Sequence, residues 1–171
     1  MKKTFTPKNI GIMALFVSIG IILQYVESRI LISPVPGGKL GLSNIVTIIN
    51  IFIFGGGNAV IISILRAFLG TFLTGGVTAL PYSIVGALFA TLTMCFVKKY
   101  LYPKVSMVGM SILGACAHNI AQLAVASIVF GSVYLFSYLP MLLVVALVSG
   151  TVTGVGAQIF GKRILSIGEK I

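Results

Sequence analysis

Residues 133–160 read VYLFSYLPMLLVVALVSGTVTGVGAQIF and hold no charged side chain. A helix crosses the hydrocarbon core of a bilayer with roughly 20 predominantly apolar residues, and this stretch is longer. It is apolar on every side, so as a helix it has no polar face to turn to water. Toward the N-terminus the same texture recurs at 106–130, 80–97, 59–73 and 9–26. A shorter run starts at Ser43 or Asn44 and ends at Phe54. It is too short to cross alone, so the stretch before it, Ser33-Pro34-Val35-Pro36-Gly37-Gly38-Lys39, is expected to dip partway into the protein. The breaks between runs are a polar stretch from Glu27 to Arg29, a turn at Gly55-Gly56-Gly57-Asn58, Thr74-Gly75-Gly76, and a basic loop from Lys98 to Lys104. The expectation is one transmembrane domain over residues 1–171, an all-α bundle of six transmembrane helices.

Composition agrees. The chain is 58% hydrophobic and 8% charged, whereas soluble domains are about 25% charged. The net charge of +10 would suggest nucleic acid in a soluble protein. Here the cations flank the apolar runs, with no basic helix face or aromatic interleaving, so no nucleic-acid partner is expected. With six spans both termini share one side. That side collects Lys2, Lys3, Lys8, Lys98, Lys99, Lys104, Lys162, Arg163 and Lys170; the other collects only Arg29 and Lys39. This asymmetry predicts a multi-pass protein of the cell membrane with both termini cytoplasmic. Cys95 and Cys116 lie in apolar runs without CxxC spacing and read as packing residues.

The acidic residues exclude most chemistry. The chain has no aspartate, and its only glutamates are Glu27 and Glu169, at opposite ends. Paired-carboxylate catalysis, carboxylate-held Mg²⁺ and nucleotide hydrolysis lack their residues. Gly37-Gly38-Lys39-Leu40 lacks P-loop spacing. No catalytic residue, metal or cofactor is expected.

Arg66 falls inside the 59–73 run. At that depth an arginine costs roughly 2.5–3.5 kcal/mol on insertion scales, so it is expected to face a cavity or a partner. No protein carboxylate is expected to be available to neutralise it, since both glutamates are distant. An anionic ligand is one reading; tying helices together is the other, with snorkelling a third. His118, Asn119 and Gln122 form a second polar group, with His118 and Gln122 on one helix face. They suit substrate binding or an interhelical hydrogen-bond network; a metal site lacks a second histidine or thiolate. Asn44, Thr47 and Asn50 make a polar stripe that lines a site or joins helices, and Lys39 either reaches a ligand or sits in water. Tyr25, Phe68 and Tyr82 are aromatics that stack on a ligand or serve the core or interface. Ser149, Thr153, Ala157 and Gly161 repeat at four, beside Gly150 and Gly154, as close helix packing requires. Ala14 and Ser18 share that spacing in the first run and are the candidate partner-binding pair.

Gly38-Lys39-Leu40-Gly41-Leu42-Ser43-Asn44-Ile45-Val46-Thr47, Arg66, Tyr82-Ser83-Ile84-Val85-Gly86, Ser111-Ile112-Leu113-Gly114-Ala115 and Ala117-His118-Asn119-Ile120-Ala121-Gln122, in that order, resemble the Gx transporter family, also described as heptaprenyl diphosphate synthase component I. That family is similar to the substrate-binding S components of energy-coupling factor (ECF) vitamin transporters. The resemblance spans nearly the whole chain. It implies a six-helix subunit whose site opens outward beneath the loop after the first helix. The substrate-binding candidates are then Arg66, His118, Asn119, Gln122, Asn44 and Lys39, for a small anionic or polar molecule. In S components an Ala-xxx-Ala-like motif of the first helix docks on the transmembrane T component; Ala14 and Ser18 occupy that pattern here, with serine in the second place. ATP hydrolysis would belong to separate ATPases. Soluble prenyl diphosphate synthases use aspartate-rich motifs that this chain lacks, so the alternative is a non-catalytic membrane accessory of such a synthase. A structural subunit of a membrane redox or flavin-related complex is a third class.

Overall fold

Every apolar run is helical in the computed structural model, which describes residues 6–30, 41–74 and 77–168, with the backbone alone for Ile30, Lys162 and 164–168. The helices are α1 (Pro7–Ile30), α2 (Asn44–Ile53), α3 (Gly56–Thr74), α4 (Leu80–Tyr100), α5 (Met107–Phe130) and α6 (Leu139–Gly168). Short 3₁₀ turns at Val77–Ala79 and Val133–Tyr138 lead into α4 and α6. No strand occurs among the described residues. Among the described residues five segments are long and apolar enough to cross a membrane; α2, with 10 residues, is not. Lys39 and the loop 33–38, with Lys2, Lys3, Glu169 and Lys170, lie outside the described residues.

Three boundaries differ from the sequence reading. The first helix does not stop at Val26 but continues through Glu27 to Ile30. Gly20, Gln24 and Glu27 share the face turned into the bundle, where Gln24 and Glu27 are buried, while Arg29 lies 5.2 Å over the Tyr25 ring. The glycine turn is shorter than expected. Gly55 alone takes positive φ, and α3 starts at Gly56, with Asn58 Nδ2 donating to the Phe54 carbonyl at 3.0 Å. The last run is 3₁₀ up to Tyr138, and α6 begins only at Leu139. Pro140 has no N–H to continue an earlier helix, but fits the first turn of a new one. Ser106 caps α5 by accepting from Gly109 N, and Gly131 ends it in the left-handed region.

Small residues set the helix order. A Cβ added at Gly150 would lie 2.6 Å from Ile112 Cα, and one at Gly154 2.6 Å from Val108 Cα. The α5 and α6 backbones are therefore in contact and antiparallel. The stripe Ser149, Thr153, Ala157 is buried there, and Thr153 shares a 2.7 Å hydrogen bond with Ser111. This is packing inside the bundle, as its spacing suggested. Gly86 of α4 receives His118 and Gln122 of α5, and Gly114 of α5 receives Met94 of α4, again antiparallel. Gly20 of α1 receives Arg66, and Gly70 of α3 receives Gln24, so α1 and α3 run parallel. The short α2 must therefore carry the chain back between them.

The α2 helix is about 15 Å long and mostly buried. Ile48 and Ile51 pack with Ala59, Ala90, Met94, Val97, Met110 and Ala157 in the central core. Its ends cannot rely on water, so other groups must satisfy them. Glu27 accepts from the N–H groups of Gly41 (2.8 Å) and Leu42 (3.0 Å), just before its N-terminus. Lys98 Nζ donates to the Ile51 carbonyl in its last turn and lies 4.5 Å over the Phe52 ring. Negative charge at the start and positive charge at the end complement the helix dipole. Lys98, which the sequence places in a basic loop, is thus a half-buried member of α4.

Candidate functional site

Beyond the N-terminus of α2 the bundle leaves a polar cavity to which all six helices contribute. Gln24 and Glu27 come from α1, Ser43 and Asn44 from the start of α2, and Arg66 from α3. Ser83 comes from α4, His118 and Asn119 from α5, and Ser149 from α6. Gly41, Ala67, Ala87 and Ala115 complete the wall. The free volume is about 30 Å³. Counting roughly 10–15 Å³ per water, that holds two or three waters or a very small ion. A vitamin-sized molecule, which needs roughly 300 Å³ or more, enters only if the helices part.

Arg66 is 4% exposed. Its Nη1 donates to Ser43 Oγ and, at 3.4 Å, to Gln24 Oε1. Its Nε is buried without a hydrogen-bond partner. The aliphatic stem lies in the space that Gly20 leaves, where a Cβ would come within 2.4 Å of Cδ. Gln24 is itself held from the other end, its Nε2 donating to Thr71 Oγ1 at 3.2 Å. Glu27 is 5% exposed and interacts electrostatically with Arg66. This corrects the reading in which Glu27 lies far from the arginine. That reading ended the first helix at Val26, four residues short of Ile30, which put Glu27 in the polar stretch after the helix instead of on its inward face.

The other candidates divide. Arg66, Asn44, His118 and Asn119 line the cavity together. Asn119 also donates from Nδ2 to the Leu142 carbonyl at 2.8 Å, joining α5 to α6. Gln122 is beside the cavity rather than in its wall, half-buried with His118 against Gly86. Thr47 and Asn50 are buried deeper along α2, and neither amide atom of Asn50 has a partner. Tyr25 and Phe68 are 46% exposed on the outside of the bundle, and Tyr82 is not in the cavity wall. Ala14 and Ser18 are exposed on α1. The residues sequence reasoning missed are Gln24, Glu27, Ser43, Ser83 and Ser149. For α1 a signal existed: Gly20, Gln24 and Glu27 fall at helical spacing on one face.

The family model for heptaprenyl diphosphate synthase component I, a Gx transporter-like family, matches residues 16–160. The chain belongs to that family. Component I is non-catalytic, so the chain is not itself an enzyme. Neither the curated proteins nor the solved structures gave a match. The matched range covers α2 to α5 whole and most of α1 and α6, and so includes every described residue of the cavity wall.

Proposed function

We propose that this component I is the substrate-binding, S-component-like subunit of an ECF-type uptake transporter, with six membrane passes and both termini in the cytoplasm. It takes up a small molecule with a polar or anionic group and draws its energy from separate ATPase subunits. The observation that carries the reading is Arg66. A guanidinium held at membrane depth, with one nitrogen unpartnered, in a cavity built by six helices, is costly as structure alone. Such a group suits a carboxylate or phosphate by its fork geometry. His118, Asn119 and Asn44 supply neutral hydrogen bonds that orient the rest of the molecule. The exposed pair Ala14 and Ser18 is the docking surface for a T component.

The test is mass spectrometry of small molecules that co-purify with the protein in mild detergent, with thermal stability measured on the same samples. Arg66→Lys keeps the charge beside Glu27 but loses the fork. It is expected to keep its thermal midpoint within a few degrees and to lose the bound molecule. A lowered midpoint with an unchanged bound molecule would make Arg66 a structural tie and sink the site. The second reading, a membrane accessory of a prenyl diphosphate synthase, is favoured by the family's own description. Pull-down separates them: ATPases and a T component in one case, a soluble synthase subunit in the other.

A further inference from the structure

We propose that the cavity takes a ligand of no net charge that carries both signs, a zwitterion whose anionic group meets Arg66 and whose cationic or N–H-rich group meets Glu27. The inference rests on the substrate-binding reading above and narrows its ligand. From sequence, Arg66 looked uncompensated, which favours an anion. Among the described residues the cavity wall instead holds one buried cation and one buried anion, Arg66 and Glu27, and one other charge-capable group, the half-buried His118. With a neutral imidazole the described wall is formally neutral. A net charge brought into a neutral, dehydrated site loses its hydration without a matching partner, whereas a molecule with both charges is paired at both ends.

Each end retains capacity. Arg66 uses Nη1 on Ser43 and Gln24, and its Nε has no partner. Among the described residues each Glu27 oxygen accepts one backbone N–H, from Gly41 or Leu42, and a carboxylate has about four acceptor positions. Glu27 is therefore a ligand-facing residue as well as the group that fixes the start of α2. The same start carries Ser43, which holds Arg66. Both ends of the ligand would thus bind to side chains tied to a single short segment, residues 41–43.

The cavity's small volume permits minimal probes. The full chain in mild detergent is titrated with free glycine, acetate and methylammonium, at ionic strength matched by sodium chloride, and the shift in thermal midpoint is read. Free glycine is expected to stabilise the wild type most, with an apparent Kd at least about tenfold tighter than acetate or methylammonium, since each lacks one charge-assisted contact. Glu27→Gln leaves a net positive wall and should move the preference to acetate. Arg66→Gln should move it to methylammonium. Acetate equal to or better than glycine on the wild type overturns the zwitterion inference while leaving an anion-binding site intact. No shift with any of the three probes, on the wild type or either variant, overturns the inference and the site together. The wild-type ranking decides even where a variant fails to fold.

Discussion

A methyl group added at Gly20 sets two magnitudes against each other. Replacing glycine by alanine inside a helix gains roughly 1 kcal/mol of helix propensity. At Gly20 the new Cβ would lie 2.4 Å from Arg66 Cδ, and the guanidinium beyond is pinned on Ser43 and Gln24. Overpacking of that kind costs about 1–3 kcal/mol, so it wins. Gly20→Ala is expected to lower the thermal midpoint and to weaken whatever binds Arg66. Gly57→Ala, in the first turn of α3 with nothing within 4 Å, is the control and should stabilise by about 0.5–1 kcal/mol. Thermal unfolding of both variants in one detergent checks the pair; equal signs would show that Gly20 makes no room for Arg66. Arg66 was legible in the sequence because a lone charge in an apolar run has few places to go. Glu27 was not, because a charge after such a run looks the same whether it ends a helix or turns inward on the next turn. Gly20 was not, because which residue a glycine accommodates depends on a helix far along the chain.

Among the elements, α2 owes most to its neighbours. The sequence shows that the run is too short to cross, but not what satisfies its ends. Those partners, Glu27 and Lys98, come from α1 and α4. Lys98→Met keeps most of the side-chain volume and removes the donor. It leaves the Ile51 carbonyl without its side-chain donor and the helix end without its cation, at a cost of about 1–3 kcal/mol. A lowered thermal midpoint is expected for Lys98→Met, with most of the loss recovered in Lys98→Arg; no difference from wild type would mean that the contact contributes nothing. The α1 helix offers a separate case. Ala14 and Ser18 are exposed one turn apart, and Ser18 Oγ already donates to the Ala14 carbonyl at 3.0 Å, so neither side chain supports the bundle itself. Replacing both with leucine should leave the thermal midpoint near wild type and abolish pull-down of a transmembrane partner, because close helix approach needs small residues. Association that survives the double substitution would place the interface elsewhere.

At the scale of the whole molecule, the direction of each helix decides where the charges lie. Gly20 meets Arg66 and Gly70 meets Gln24, so α1 and α3 are parallel; α4 meets α5, and α5 meets α6, in antiparallel register. The Glu27 contact holds the start of α2 at the far end of α1, and the Lys98 contact holds its finish beside the end of α4. Short as it is, α2 reverses the chain as a full span would. The beginnings of α1, α3 and α5 then share one end of the bundle with the ends of α2, α4 and α6. Among the described residues that end carries Lys8, Lys98, Lys99, Lys104 and Arg163, and the opposite end carries Arg29. The cation pattern that sequence alone revealed is therefore matched by helix order, and the positive-inside tendency predicts that the basic end is cytoplasmic. Single cysteines test this in a background without Cys95 and Cys116. Position 99 lies in the last turn of α4, and position 134 lies in the 3₁₀ turn after α5, where Tyr134 is 90% exposed. An impermeant thiol reagent added to intact cells is expected to label a cysteine at 134 and not one at 99, and to reach 99 only after the membrane is opened. Labelling of 99 from outside would invert the orientation. Labelling of both from outside would mean that α5 does not cross, and the bundle order derived from its glycine contacts would be wrong.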